Sequence, residues 1–287
     1  MSNPKASPSI SETWTILATN VNVRDKSLKV IQYGSRMLLG FYGSALPDSA
    51  VCTLENMRNS SLMARKAFRL LKSLNNISII AKTIQDSEES TEDVIPQALK
   101  VFEHVCWSLF FYYCNRNFLT IHKVIKTDMD AEKILFYKAW FGADSFFMLG
   151  NIYQLVQWLL KKKNAYNNLE RIQQHKLNKN LNTNNIDQNN NISYQSFKSK
   201  QNELSFGSVE EEESYVLKEI EGIDKKLKGI LWNLLNGLFR ITVSSNNYPI
   251  CFWKRIFGEK LSEGPIGLSG MMTAFMIIYE SWPHKKA

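Results

Sequence analysis

Cysteine is scarce in this chain. There are four, Cys52, Cys106, Cys114 and Cys251, and no two of them form a C-x-x-C pair. Their spacings match no zinc pattern, so they are expected as reduced thiols in helices or a core, which suits a cytosol-facing protein. Histidine is equally sparse, with His104, His122, His175 and His284 scattered along the sequence, and no metal site is expected. Proline occurs seven times, and no stretch shows sustained period-two alternation of apolar and polar residues, which leaves little support for strands. A Gly-rich phosphate loop, a G-x-S-x-G elbow and an H-E-x-x-H pair are all missing. The acidic residues Asp128, Asp130 and Glu132 read as a solvated helix start. No enzymatic activity and no cofactor are expected. Residues 1–11 are polar and hold no apolar signal region, so a cleaved secretory signal is not expected, and the last five residues match no C-terminal address signal.

What the chain does have is hydrophobic residues, at 44% of 287, and a formal net charge of +8. A basic excess favours anionic partners, either nucleic acid or acidic lipid head groups, and charge alone does not choose between them. The hydrophobic periodicity predicts helix nearly throughout, and the fold class is all-α. A first helix is expected over 27–41 with Asp25 as N-cap, and a second from 49 to 74 with a possible continuation to 84. An acidic, Ser-rich linker covers 86–93. A third helix opens near Pro96 and carries the aromatic stretch 102–118, and residues 128–163 supply one or two more. The Asn-, Gln- and Lys-rich segment 164–202 lacks a periodic apolar face and is expected to be disordered. The acidic run 210–213 suits the first turn of the helix after it. An apolar-rich helix covers 222–243, Pro249 interrupts it, and the chain closes on 264–282.

The organisation expected from these shifts is an N-terminal amphipathic region over 1–85, an aromatic-rich helical region over 94–163, an Asn-rich insertion over 164–203 and a C-terminal helical region over 209–287. Two stretches approach the character of a membrane-embedded helix. Residues 142–160 include a single acid, Asp144, and precede Lys161, Lys162 and Lys163. That length suits a span, which needs about 20 predominantly apolar residues. Asp144, Asn151, Gln154 and Gln157 are costly in lipid. Residues 265–279 carry no charge but are short for a span.

The most informative local pattern is a basic amphipathic helix over 57–74. On a helical wheel at about 100° per residue, Met57, Ala64, Phe68 and Leu71 cluster within about 40° of one another's centre. Arg58, Arg65, Lys66, Arg69 and Lys72 fall on the opposite side, with Leu62 among them as the one exception. Such a helix suits the plane of a membrane interface, its apolar side chains at the acyl boundary and its cations at head groups. Each cation near an anionic leaflet contributes about 1 kcal/mol. Inserted from one side, the helix would expand that leaflet and favour curvature. The same pattern also fits an ordinary core-facing helix with a solvated basic face. RNA binding would call for aromatics among the cations, whereas Phe68 lies on the far side, so no nucleic-acid partner is expected.

The segment from Arg24 to Arg36 includes Asp25, Lys26, Gln32, Tyr33 and Arg36 at D-K-x-x-K/R-x-x-Q-Y-x-x-R/K type spacing, and it resembles the opening of the peroxin-eleven family. The second helix of that family carries an S-x-x-R-K-x-x-R-L-x-K type core. Here Ser61, Arg65, Lys66, Arg69, Leu70 and Lys72 are similar, with one extra residue before Arg65 and with Leu71 where the family often has glycine. The Gly264, Gly267 and Gly270 series leading to Trp282 resembles the family's Gly-rich closing helix, and the Asn-rich insertion is the main departure. The resemblance implies a peroxisomal membrane protein, its N-terminal region facing the cytosol, that promotes elongation, fission and proliferation of the organelle. Its implied partners are anionic phospholipid, further copies of itself, and a dynamin-type fission GTPase with its adaptors. Arg58, Arg65, Lys66, Arg69 and Lys72 would meet head groups, while Met57, Ala64, Phe68 and Leu71 would enter the acyl boundary. A solute pore built from the two apolar stretches and a soluble helical adaptor are the competing readings.

Overall fold

The computed structural model describes residues 20–89, 94–186, 209–247 and 249–281, with side chains described to residue 86 before the first gap and to residue 177 before the second. The described elements are α-helices and one 3-10 turn, and no strand occurs among the described residues. They are α1 (Val21–Tyr42), a 3-10 turn (Gly43–Ala45), α2 (Asp48–Phe68), α3 (Lys72–Glu89), α4 (Val94–Ile121), α5 (Met129–Ile186), α6 (Val209–Ser244), the short α7 (Phe252–Phe257) and α8 (Glu263–Glu280). The all-α class is as expected. The chain divides into two compact units, one built from 1–151 with 233–287 and the other from 152–232.

Helix α1 starts earlier than the sequence pattern indicates. Its N-cap is Asn20, whose side-chain oxygen accepts from the amides of Asn22 at 2.9 Å and Val23 at 3.4 Å. That satisfies donors which the helix itself leaves open. Asp25, expected as the cap, lies inside the helix and is 1% exposed. Aspartate at a helix start normally caps, but here its carboxylate is drawn into a tertiary ion pair.

The amphipathic segment is not one helix. Helix α2 ends at Phe68, and α3 begins at Lys72. The hinge turns on Leu71, which adopts a left-handed backbone with φ of 64°. Turn hydrogen bonds from the Lys72 amide to the Arg69 carbonyl and from the Leu74 amide to the Leu71 carbonyl fix the corner. A residue with a Cβ pays about 1–2 kcal/mol for that conformation. Leu71 is 69% exposed, so its side chain returns little by burial. Leu71→Gly is therefore expected to stabilise the protein by about 0.5–1 kcal/mol, after the entropic loss of glycine in the unfolded chain is subtracted. A rise in thermal midpoint checks it, and a fall would show that the Leu71 side chain is bound somewhere.

In the first unit, α1 packs on α8 and α2, and α3 packs on α4. Close approach of α1 and α8 depends on glycines. A Cβ on Gly267 would strike the Met37 backbone, at 2.6 Å from its Cα, and one on Gly264 would sit 2.7 Å from the Phe41 ring. A Cβ on Gly270 would strike the Tyr33 ring. Tyr33, Val243 and Ile266 form the buried cluster at this seam, with Trp140, Leu261 and Met271 against it.

In the second unit, Ala165 and Ile172 of α5 pack on Val216, Ile220, Ile223 and Leu227 of α6, with Leu155, Trp158 and Leu169 alongside. Ion pairs Lys162 to Asp224 at 2.6 Å and Lys176 to Glu213 at 3.3 Å flank that core. The Asn-rich segment is thus helical from 164 to 186, and its expected disorder does not hold there; residues 187–202 lie outside the described ones. An apolar stripe of Ala165, Leu169 and Ile172 at i, i+4 and i+7 gives α5 something to bury despite the polar composition. Of the linker over 86–93, residues 86–89 belong to α3, and 90–93 lie outside the described residues.

Among the described residues, no helix is long and apolar enough to cross a membrane. Residues 142–160 form part of the longer α5, and Asp144 within them is fully buried. Residues 264–280 lie in α8, with Trp282 outside the described residues.

Candidate anion-binding cavity

The first unit encloses a cavity of about 680 Å³. Residues of α1, α2, α3, α4 and α5 line it, together with Asn247 and Glu263. The lining holds nine cations, Lys26, Lys29, Arg36, Arg58, Arg65, Lys66, Arg69, Lys72 and Lys133, against four carboxylates, Asp25, Glu103, Glu132 and Glu263. All five cations singled out on the basic helix are therefore turned to this cavity. Arg65 is 4% exposed, and the others are half-buried.

Asp25 anchors the floor. One of its oxygens accepts from Arg65 Nε at 3.2 Å and from Arg69 Nε at 3.1 Å, and Lys26 lies 3.8 Å from the other. Gln32 accepts from the remaining end of Arg65. Lys66 donates to Asn117 at 2.6 Å, and Lys72 donates to Asn22 at 3.0 Å. Arg36 forms a two-pronged pair with Glu263, one hydrogen bond being 2.8 Å long. Tyr33 is buried under Gly270, with the Lys29 ammonium 5.6 Å from its ring centre. The five signature residues Asp25, Lys26, Gln32, Tyr33 and Arg36 thus share one face of α1, and they engage α2 on one side and α8 on the other.

The opposite wall is aromatic. Phe110 stacks on Phe136 at 4.5 Å between ring centres, Trp107 and Trp140 flank it, and the Arg69 guanidinium lies 5.9 Å from the Phe110 ring. Behind Trp107, Arg240 pairs with buried Asp144 at 2.7 Å and approaches Glu103 at 3.6 Å. It also lies 4.1 Å from the Phe147 ring centre. The Asp144–Arg240 pair joins residues 96 apart in sequence and carries no local signal.

Electrostatics in the cavity are strained toward positive charge. Burial, aided by the charges of Arg69 and Lys72, holds the Lys26 ammonium down to about 8, although Asp25 opposes the shift. Burial and the neighbouring Lys26 and Arg69 push Lys29 well below the ordinary lysine range. Burial also lowers Lys66 and Lys72. Glu103 is pushed up by burial, against the pull of Arg240. Such crowding of like charge weakens a fold, and an anion in the cavity would relieve it.

The apolar residues of the amphipathic segment divide. Met57, within α2, is 44% exposed, Leu71 is 69% exposed, and Leu70 and Leu74 beside it are exposed as well. Ala64 and Phe68 are half-buried, with the Arg24 guanidinium 5.3 Å from the Phe68 ring centre. The four cysteines are unpaired, and among the described residues no cluster of histidine, cysteine and acid could hold a metal.

A family model described as peroxisomal biogenesis factor 11 (PEX11) matches residues 11–282, nearly the whole chain, and the chain belongs to that family. Membership assigns it to peroxisome biogenesis and proliferation at the peroxisomal membrane. No curated protein and no solved structure gives a significant match.

Proposed function

We propose that this chain binds the cytosolic face of anionic peroxisomal membrane through residues 57–74 and curves it, so promoting elongation and fission of the organelle. The observation that carries the reading is the exposure of Met57 on α2 and of Leu70, Leu71 and Leu74 at the α2–α3 corner. Each such side chain moved out of water contributes up to about 1.5–3 kcal/mol. A corner inserted to shallow depth widens one leaflet only. The cations of the same segment face the cavity, so head-group contact by Arg58, Arg65, Lys66, Arg69 and Lys72 requires α2 to lift from α1. An anionic surface would favour that movement by competing with Asp25 for Arg65 and Arg69. Self-association and recruitment of a dynamin-type GTPase with its adaptors complete the proposed division role.

The test uses the purified full chain with vesicles of anionic or zwitterionic phospholipid, viewed by electron microscopy. Tubules are expected on anionic vesicles. The double variant Met57→Glu, Leu71→Glu, which alters only exposed side chains, is expected to bind at least tenfold more weakly and to leave vesicles round. Equal tubulation by this variant would overturn the reading.

A further inference from the structure

Among the described residues, the cavity lining carries more cations than carboxylates. Two of its four carboxylates are engaged away from the inner cations: Glu132 pairs with Arg116 at 2.6 Å, and Glu263 pairs with Arg36. Glu103 accepts from Trp107 at 3.2 Å and faces Arg240. Asp25 alone serves Lys26, Arg65 and Arg69. Among the described residues, no carboxylate lies within ion-pair distance of Lys29, Lys66 or Lys72. Half-buried cations without counter-charge weaken a fold, and cations gathered around one space create a field that concentrates anions.

The excess also indicates the kind of anion. Nine cations face four carboxylates, so a single carboxylate ligand would neutralise little of the difference. A phosphate monoester carries about −1.5 to −2 at neutral pH, so three or more phosphates on one small body cover the excess. Arg65 meets Asp25 through Nε and Gln32 through Nη1, and Arg69 meets Asp25 through Nε; the remaining guanidinium donors suit phosphate oxygens. The volume of about 680 Å³ falls inside the ordinary range for ligand sites, about 300–1,000 Å³. The aromatic wall of Phe110, Phe136 and Trp140 would take the uncharged ring or chain that carries the phosphates.

We propose that this cavity is a binding site for a compact, multiply phosphorylated ligand, held by Lys29, Arg65, Lys66 and Arg69. The same chemistry is presented by the head group of a polyphosphorylated inositol lipid and by a soluble inositol polyphosphate. The site stands independently of membrane curvature, since a soluble ligand reaches it without a bilayer.

The test titrates the full chain, at physiological salt, with inositol hexakisphosphate in one arm. In the other arm it uses vesicles containing either phosphatidylinositol bisphosphate or phosphatidylserine at matched total charge. Saturable one-to-one binding is expected in at least one arm. Lys29→Gln and Lys66→Gln remove cations that neutralise no carboxylate, and each is expected to weaken that binding at least tenfold. Lys138→Gln, on the exposed side of α5, is expected to leave it within twofold. Preference for the bisphosphate lipid identifies the head group as ligand, and binding of the soluble probe alone identifies a metabolite; each supports the site. Absence of binding in both arms, or equal losses for Lys138→Gln and Lys29→Gln, would overturn it. Met57→Glu, Leu71→Glu should retain inositol hexakisphosphate binding, so failure of the curvature reading is told apart from failure of the site.

Discussion

Asp25→Asn is expected to destabilise the protein by about 3–5 kcal/mol, because it leaves buried positive charge without its counter-ion. Asp25 is 1% exposed and holds both Arg65 and Arg69 through one oxygen. The amide keeps the shape and loses the charge, so packing is nearly unchanged and the effect isolates electrostatics. Against a total stability of about 5–15 kcal/mol for a typical domain, the loss is large. Arg65→Met should cost less, since Arg69 still neutralises Asp25. The double variant should be less unstable than the sum of the two, because the methionine removes one of the charges that Asp25→Asn strands. Thermal or denaturant unfolding of the four proteins measures this. A melting point for Asp25→Asn equal to that of the parent would show that Asp25 is solvated in solution.

The second large effect reverses a general rule. Alanine in a helix interior is normally about 0.8–1 kcal/mol more favourable than glycine. At Gly267 the added methyl would collide with the backbone of Met37, which no side-chain rotation relieves. Gly267→Ala is therefore expected to destabilise by about 1–3 kcal/mol, the usual range for overpacking. Gly222 and Gly229, on α6, have open space where a Cβ would stand. Alanine there is expected to stabilise by a fraction of a kcal/mol. Opposite signs at Gly267 and at Gly222 or Gly229 would confirm the close seam between α1 and α8. Stabilisation at all three would mean that the helices lie farther apart.

Helical periodicity made most of the helices legible, and the acidic start of α6 and the interruption at Pro249 stand where the sequence places them. What escaped was set by contacts distant in sequence. The wheel over 57–74 separates cations from apolar residues correctly, yet it carries no information on which side faces the protein. An apolar face usually points inward; here Asp25, some 40 residues upstream, supplies the acceptor that turns the arginines in. The break at Leu71 has no proline or glycine to announce it. Only the absence of the glycine usual in the resembling motif hinted that the position needs a left-handed backbone. Asp25 stands nearer than Asn20 to the first strongly periodic residues, so the pattern favours it as the cap. In 164–186, abundant asparagine concealed the stripe of Ala165, Leu169 and Ile172, a spacing visible in the sequence once composition is set aside.

The gathering of Asp25, Lys26, Gln32, Tyr33 and Arg36 on one face of α1 gives the signature a physical sense. Its residues hold α1 to both α2 and α8, and they line the cavity. The same contacts that stabilise the closed form hold back the cations an anionic membrane would attract. Under the proposed function an anionic surface would compete with Asp25 for Arg65 and Arg69, and that competition would link the fold to the activity.

The activity proposed for this chain is elongation of peroxisomes from their membrane. Fluorescence microscopy of the tagged full chain, overexpressed beside a peroxisomal matrix marker, tests it most directly. The account predicts that the chain outlines the marked organelles and that they become longer and more numerous, while Met57→Glu, Leu71→Glu leaves their shape unchanged. Location on another compartment, or peroxisomes of ordinary number and shape at high expression, would contradict it.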